Sequence, residues 1–234
     1  MKRALIACAV ALHCSLGWAA SEDNPLIATW SFDQAEFTAG DGETGAAWDT
    51  QGWVGKDINK IRLLTEGEMS GGSAEGNVRL VFSRAISPFW DIGGGWRREF
   101  GGGQQWDAAT LELMGILPYY LETRASFSVG DGGQSLLWIE IEYEFNFDAR
   151  SPRWRLVPEF EMNIYGKDDA ERGVGKGLSD LELGLRLHYQ IRPDISPYLG
   201  INWAKTFGDT ADYARAAGDK SSALRGVVGL RFWF

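Results

Sequence analysis

The sequence predicts an all-β protein, a transmembrane antiparallel β-barrel of about 12 strands with short periplasmic turns and longer extracellular loops. Three observations carry this. Segments such as "LLWIEIEYEF" put Glu140, Glu142 and Glu144 on one face of a ribbon and Ile139, Ile141, Tyr143 and Phe145 on the other, because side chains switch faces at every residue of a strand. The chain holds 30 glycines, 11 tryptophans, 12 phenylalanines and 7 tyrosines with hardly any helical periodicity, the composition of many short strands joined by glycine-rich turns. Its ending, "GVVGLRFWF", is an alternating last strand closed by an aromatic residue, and it resembles the signal by which outer-membrane barrels are recognised for assembly.

Residues 1–19 read as a secretory signal peptide, with Lys2 and Arg3, an apolar run from Ala4 onward, and the small-residue pattern Gly17-Trp18-Ala19 at the expected cleavage site. Residues 20–27 follow as a short periplasmic segment and 28–234 as the barrel. Cys8 and Cys14 both lie in the leader, so the exported chain is expected to carry no thiol, disulfide or cysteine metal site. The formal charge is -9, and it falls to about -11 when Lys2 and Arg3 leave with the leader. So acidic a chain excludes nucleic acid as a partner, whose phosphates demand clustered Lys and Arg. No apolar run of about 18 residues follows the leader, which leaves strands, not helices, to cross a membrane.

The strands are expected near 28–38, 45–54, 60–69, 76–86, 89–100, 106–116, 119–129, 134–147, 153–165, 179–191, 197–207 and 222–234. Each reaches the roughly ten residues that a tilted strand needs to cross a bilayer. Short, mostly proline-marked connections such as "AISPFW", "ILPYY" and "IRPDISPY" alternate with longer ones such as "TAGDGETG", "GKDDAERGVGKGLSD" and "GDTADYARAAGDKSS". The short set is assigned to the periplasm together with both termini, since an even strand count returns the chain to its starting side. Phe89, Trp90, Tyr119, Tyr120, Trp154 and Tyr198 flank the short turns and are expected to form the periplasmic aromatic girdle. The predicted location is the outer membrane of a Gram-negative bacterium, with outer-membrane lipid as the first partner.

If the apolar faces meet lipid, the carboxylates of 140, 142 and 144 point into the lumen and need partners there. The next strand, "RWRLVPEFEMNIY", supplies Arg153, Arg155, Glu159 and Glu161 on one parity, and "DLELGLRLHYQ" supplies Asp180, Glu182, Arg186 and His188. The same parity puts Arg62, Glu66, Glu68, Arg79, Arg97, Glu112, Glu122, Arg124, Arg225 and Arg231 inside. Glu140, Glu142, Glu144, Arg153, Arg155 and Arg186 are thus expected to form a luminal charge network. Such a network either knits a narrow barrel shut through charge-assisted hydrogen bonds or lines a solute path whose selectivity is set by facing acidic and basic walls.

His188 is the one histidine beyond the leader. With Met114, Glu182 and Glu161 it makes a candidate loose metal shell, although the spacing matches no recognised ligand motif. The acidic stretches "KDDAERG" and "DTADYARAAGD" read as solvated outer loops. "GGGWRREFGGG" lacks the strand–loop–helix context of a phosphate cradle, and Gly93, Gly94 and Gly95 are expected to let a strand bend or an aromatic ring lie against bare backbone. Ser179 in "GLSDL" lacks the flanking pattern of a nucleophile elbow, so no enzymatic activity is expected.

The stretch "NIYGKDDAERGVGKGLSDLELGLRLHYQIRPDISPYLGINWAKTFGDTADYARAAGD", with "DIGGGWRREF" and the ending "GLRFWF", resembles the copper resistance protein B family of outer-membrane proteins. The similarity runs from "AAWDTQGWVGKDINKIRLLTEGE" to Phe234. The resemblance implies a barrel that binds copper ions or moves them across the outer membrane, working with a periplasmic copper-binding partner. Many relatives carry a Met- and His-rich segment before the barrel, whereas here "SEDNPLIA" stands between the leader and the first strand; soft thioether and imidazole ligands are what select copper. Two other classes stay open, a passive small-solute channel and a closed structural barrel without metal specificity.

Overall fold

A computed structural model describes residues 24–40, 43–101, 105–147 and 153–234. The expected signal peptide and residues 20–23 lie outside the described residues. The strands are β1 (Ile27–Gly40), β2 (Glu43–Gly55), β3 (Asn59–Ser70), β4 (Ser73–Ser87), β5 (Trp90–Phe100), β6 (Trp106–Leu117), β7 (Leu121–Gly130), β8 (Ser135–Glu142), β9 (Phe145–Asn146), β10 (Trp154–Tyr165), β11 (Gly177–Tyr189), β12 (Ile195–Thr206) and β13 (Ser222–Trp233). β8 and β9 are two lengths of one stave, since both pair with β10 in a single register, Glu142 opposite Glu159 and Phe145 opposite Leu156. The ladder breaks at Pro158, which has no N–H to give; Tyr143 still donates its N–H to the Pro158 carbonyl at 3.1 Å. Twelve antiparallel staves result, each beside its neighbours in sequence.

The sheet closes through β1 and β13, which removes the exposed edges that an open sheet would present. At this seam the rings of Phe32 and Phe232 stack with centroids 4.5 Å apart. The C-terminal Phe234 exchanges backbone hydrogen bonds with Trp30 at 2.9 and 3.0 Å, so the terminal aromatic residue pins the last stave to the first. A register shift in β1 between Phe32 and Gln34 turns the consecutive residues Asp33 and Gln34 both inward, as a bulge does.

Ile61, Leu80, Phe82, Leu111, Leu185, Leu199, Ile201 and Val228 are exposed on the outer wall, while Arg79, Arg97, Glu112, Arg186 and His188 are buried. A water-soluble protein would reverse this distribution; a barrel in lipid requires it. Among the described residues no helix is long and apolar enough to cross a membrane, and the strands do so instead. Phe89, Tyr119, Tyr120 and Trp154 are exposed at the end that carries both termini, as an interfacial girdle. Trp90 and Tyr198 depart from it and turn inward, each lying against a glycine of the adjacent stave, Gly115 and Gly229.

Bare backbone beneath aromatic rings thus occurs at places other than Gly93–Gly95. The closest case is Gly52, where a Cβ would stand 2.0 Å from a ring carbon of Trp30. The outer connections are also more compact than their composition suggests. The turn after β3 is closed by Gly71 and Gly72 alone, because the strands run on into the glycine-rich segment. "GDTADYARAA" is not an irregular loop but a helix, α1 (Gly208–Ala217), with Asp209 in its first turn, Arg215 in its last and Gly218 at φ 92° as its C-cap, the arrangement that suits the helix dipole and its left-handed exit.

Candidate functional site

The lumen is crossed by arginines that pair with carboxylates of both neighbouring and more distant staves. Arg186 of β11 donates through Nε to Glu36 of β1 at 2.5 Å and through Nη1 to Glu159 of β10 at 2.6 Å. Arg124 of β7 donates to Glu140 of β8 at 2.7 Å and to Asp49 of β2. Arg79 of β4 reaches Glu66 at 3.0 Å and Glu112 at 3.4 Å. Nearer the termini, Arg231 donates to Glu142 and Glu144 at 3.1 Å each, and Arg155 donates to Glu144 at 2.9 Å and to Ser196 at 3.2 Å. Burying these charges has a large desolvation cost that only close pairing offsets.

The indole of Trp138 sits within this belt. The guanidinium carbon of Arg79 lies 4.6 Å from the ring centroid and that of Arg124 5.6 Å, so the ring's negative face helps two like charges to share the middle of the barrel. Trp106, Ala108, Leu136 and Tyr165 pack with Trp138 as an apolar cluster on one side of the lumen. The belt divides the remaining space. An outer cavity of about 380 Å³ lies towards the long loops, and an inner one of about 410 Å³ lies towards the termini, with Glu140 lining both. In the outer chamber carboxylates outnumber arginines ten to four.

The mouth of the outer chamber is narrowed by the connection between β10 and β11. Arg172 from this segment pairs with Glu99 and lies over the rings of Trp106 and Tyr165, at 4.8 and 5.5 Å from their centroids. Val174 packs on the apolar cluster. Thr210 of α1 fastens the segment from behind, accepting from the Gly175 N–H at 2.8 Å and meeting the Ser179 hydroxyl at 3.0 Å. The stretch expected as a solvated loop therefore folds partly into the barrel.

The structure places the sequence-predicted residues in three groups. Glu161 and Glu182 are directly opposite each other on β10 and β11, and both line the outer chamber. Glu161 accepts from the Trp138 indole at 2.8 Å and the Asn163 amide at 3.3 Å, and Glu182 accepts from the Asn202 amide at 2.8 Å; among the described residues no Arg or Lys forms an ion pair with either. Met114 lines the inner chamber. His188 lies six residues along β11 from Glu182, on the order of 20 Å away at a strand's rise, its ring tilted by 31° against that of Tyr198 with centroids 4.5 Å apart. It stands among the charges of Arg155, Arg186 and Arg231. The four candidate metal ligands are thus not brought together.

Of the predicted charge network, Glu140, Glu142, Glu144, Arg155 and Arg186 lie in the luminal ion pairs described above. Arg153 sits in the turn before β10, exposed, with Nη1 3.5 Å from the Tyr189 hydroxyl. Parity reasoning missed Glu36, Asp49, Glu99 and Arg172. The bulge in β1 hides the parity of Glu36, and β2 alternates too weakly to place Asp49.

A family model for the copper resistance protein B precursor matches residues 26–234. The chain belongs to the copper resistance protein B family. A copper resistance protein B homolog from Pseudomonas syringae pv. tomato is 37% identical over 215 residues, covering 91% of this chain and 71% of the relative. The Escherichia coli copper resistance protein B is 35% identical over 203 residues, covering 86% and 68%. Among solved structures, the KdgM porin superposes with a TM-score of 0.54 at 14% identity over 88% of this chain and 99% of that one. The NanC porin gives 0.57 at 11% identity over 87% and 98%. The chain thus shares its fold with outer-membrane porins, and the outer membrane of a Gram-negative cell is where this inside-out barrel belongs. Copper relevance comes with the family; the barrel architecture is porin-like.

Proposed function

We propose that the barrel contributes to copper resistance by admitting copper ions to its lumen and holding them among carboxylates as they cross the outer membrane. The observation that carries this reading is the outer chamber, where Glu161 and Glu182 face each other without a cationic partner in a cavity whose acids outnumber its arginines. Unneutralised carboxylates behind a narrow mouth concentrate cations. The inner chamber, also richer in acids than in arginines, would hand the ion to a periplasmic copper-binding partner. A passive channel without metal specificity has less support, because the charged belt fills the middle of the lumen.

The test is copper content and survival of a deletion strain in elevated copper. Complementation with wild type is expected to restore both, and the Glu161→Gln/Glu182→Gln double variant to restore neither. Full rescue by a double variant present at wild-type levels in the outer membrane would contradict the reading.

A further inference from the structure

The floor of the outer chamber, where Glu140 also reaches the inner one, holds a second group of oxygens besides Glu161 and Glu182. One ligand atom each from Asp49, Glu66 and Glu140 lies within 4.8 Å of the other two. Asp49 of β2 and Glu66 of β3 are directly opposite each other in one hairpin, and barrel closure brings Glu140 of β8 to them. Arg124 donates to Asp49 Oδ2 and to both oxygens of Glu140, and Arg79 donates to Glu66 at 3.0 Å, while Asp49 Oδ1 is buried and has no hydrogen-bond partner. The amide of Asn77 donates to Glu66 at 2.7 Å, and its own oxygen is likewise buried and unpartnered. Asp49 and Asn77 are only 6% and 5% exposed. A bare carboxylate oxygen in a desolvated waist is costly, and a cation entering from the outer chamber, which Asp49, Glu66 and Glu140 all line, would satisfy it.

We infer that the Asp49–Glu66–Glu140 waist is a binding station for divalent copper, occupied in exchange for the guanidinium of Arg124; this rests on the copper reading above. Oxygen donors suit copper(II), whereas copper(I) selects thioether and thiolate. Met114, the methionine that lines a chamber, is in the inner one, and Met69 is exposed on β3. A displaced Arg124 keeps the face of Trp138, 5.6 Å away, as a resting place. The transported species is therefore copper(II).

The experiment is equilibrium dialysis of the purified, detergent-folded barrel against copper(II), and against copper(I) held reduced under argon, with electron paramagnetic resonance of the copper(II) form. Wild type is expected to retain copper(II) in preference to copper(I), with an oxygen-only spectrum free of nitrogen couplings. Asp49→Asn should weaken copper(II) binding by about tenfold or more, and Arg124→Gln should strengthen it by about the same factor. The wild-type spectrum keeps the inference falsifiable if either variant fails to fold. Nitrogen couplings from His188, preference for copper(I), or unchanged affinity in Asp49→Asn would overturn the waist assignment and leave the functional reading standing. Retention of neither ion by wild type would overturn both.

Discussion

Arg186 and Glu36, 150 residues apart in sequence, meet across the lumen at 2.5 Å. They belong to β11 and β1, which are separated by β12 and β13 in the sheet, so this contact ties non-adjacent staves. Removing the arginine leaves the buried Glu36 without its cation and Glu159 with the Gln34 amide in place of one. Arg186→Leu is expected to cost about 3–5 kcal/mol, read from urea unfolding of the barrel in lipid vesicles. Adding Glu36→Gln and Glu159→Gln to that variant should recover much of the loss, because no unpaired charge then remains.

The two faces of a stave should respond in opposite ways to charge. Leu185 is exposed on the outer wall, and Leu185→Arg should destabilise by about 2–4 kcal/mol if it lies at mid-bilayer, as should Ile141→Arg. Glu142→Gln, inside, should cost less, since an amide still accepts from Arg231. Heat-modifiable gel mobility and urea titration would report both.

Trp30 and Gly52 provide a packing test at the seam. A Cβ on Gly52 would stand 2.0 Å from the Trp30 ring, so Gly52→Leu is expected to cost about 1–3 kcal/mol through overpacking. Trp30→Ala in the same chain should relieve part of that cost, measured by a double-mutant cycle.

Topology follows from the even stave count. An epitope inserted after Gly218, at the exposed end of α1, should be labelled on intact cells, and one beside Asn24 should be labelled only after the outer membrane is permeabilised. The reverse pattern would turn the barrel over.

Much of the fold was legible in the sequence because strand parity is a local signal. Twelve alternating segments, the aromatic turns and the terminal Phe234 led directly to the closed barrel, with boundaries off by a few residues. Where local pattern and environment part, the reading ran out. Pro158 interrupts a ladder on the neighbouring stave, and only pairing reveals that Tyr143 sits opposite it. The α1 helix carried its own signals, Asp209, Arg215 and Gly218, yet lay where alternation had suggested a loop. The site was legible only by halves. Parity put Glu161 and Glu182 in the lumen, but it assigns no height or azimuth, so it grouped them with His188 at the far end of the same strand. Asp49 and Glu66 meet within one hairpin, but the approach of Glu140 to them depends on closure of the whole barrel, which no single segment encodes.

Copper movement through the lumen is measured most directly as copper(II) entry into proteoliposomes containing an internal copper-sensitive dye. Wild-type barrels should admit the ion faster than protein-free vesicles and faster than vesicles holding the Glu161→Gln/Glu182→Gln variant at equal protein content. Entry no faster than in protein-free vesicles, or entry unchanged by the double substitution, would contradict the account.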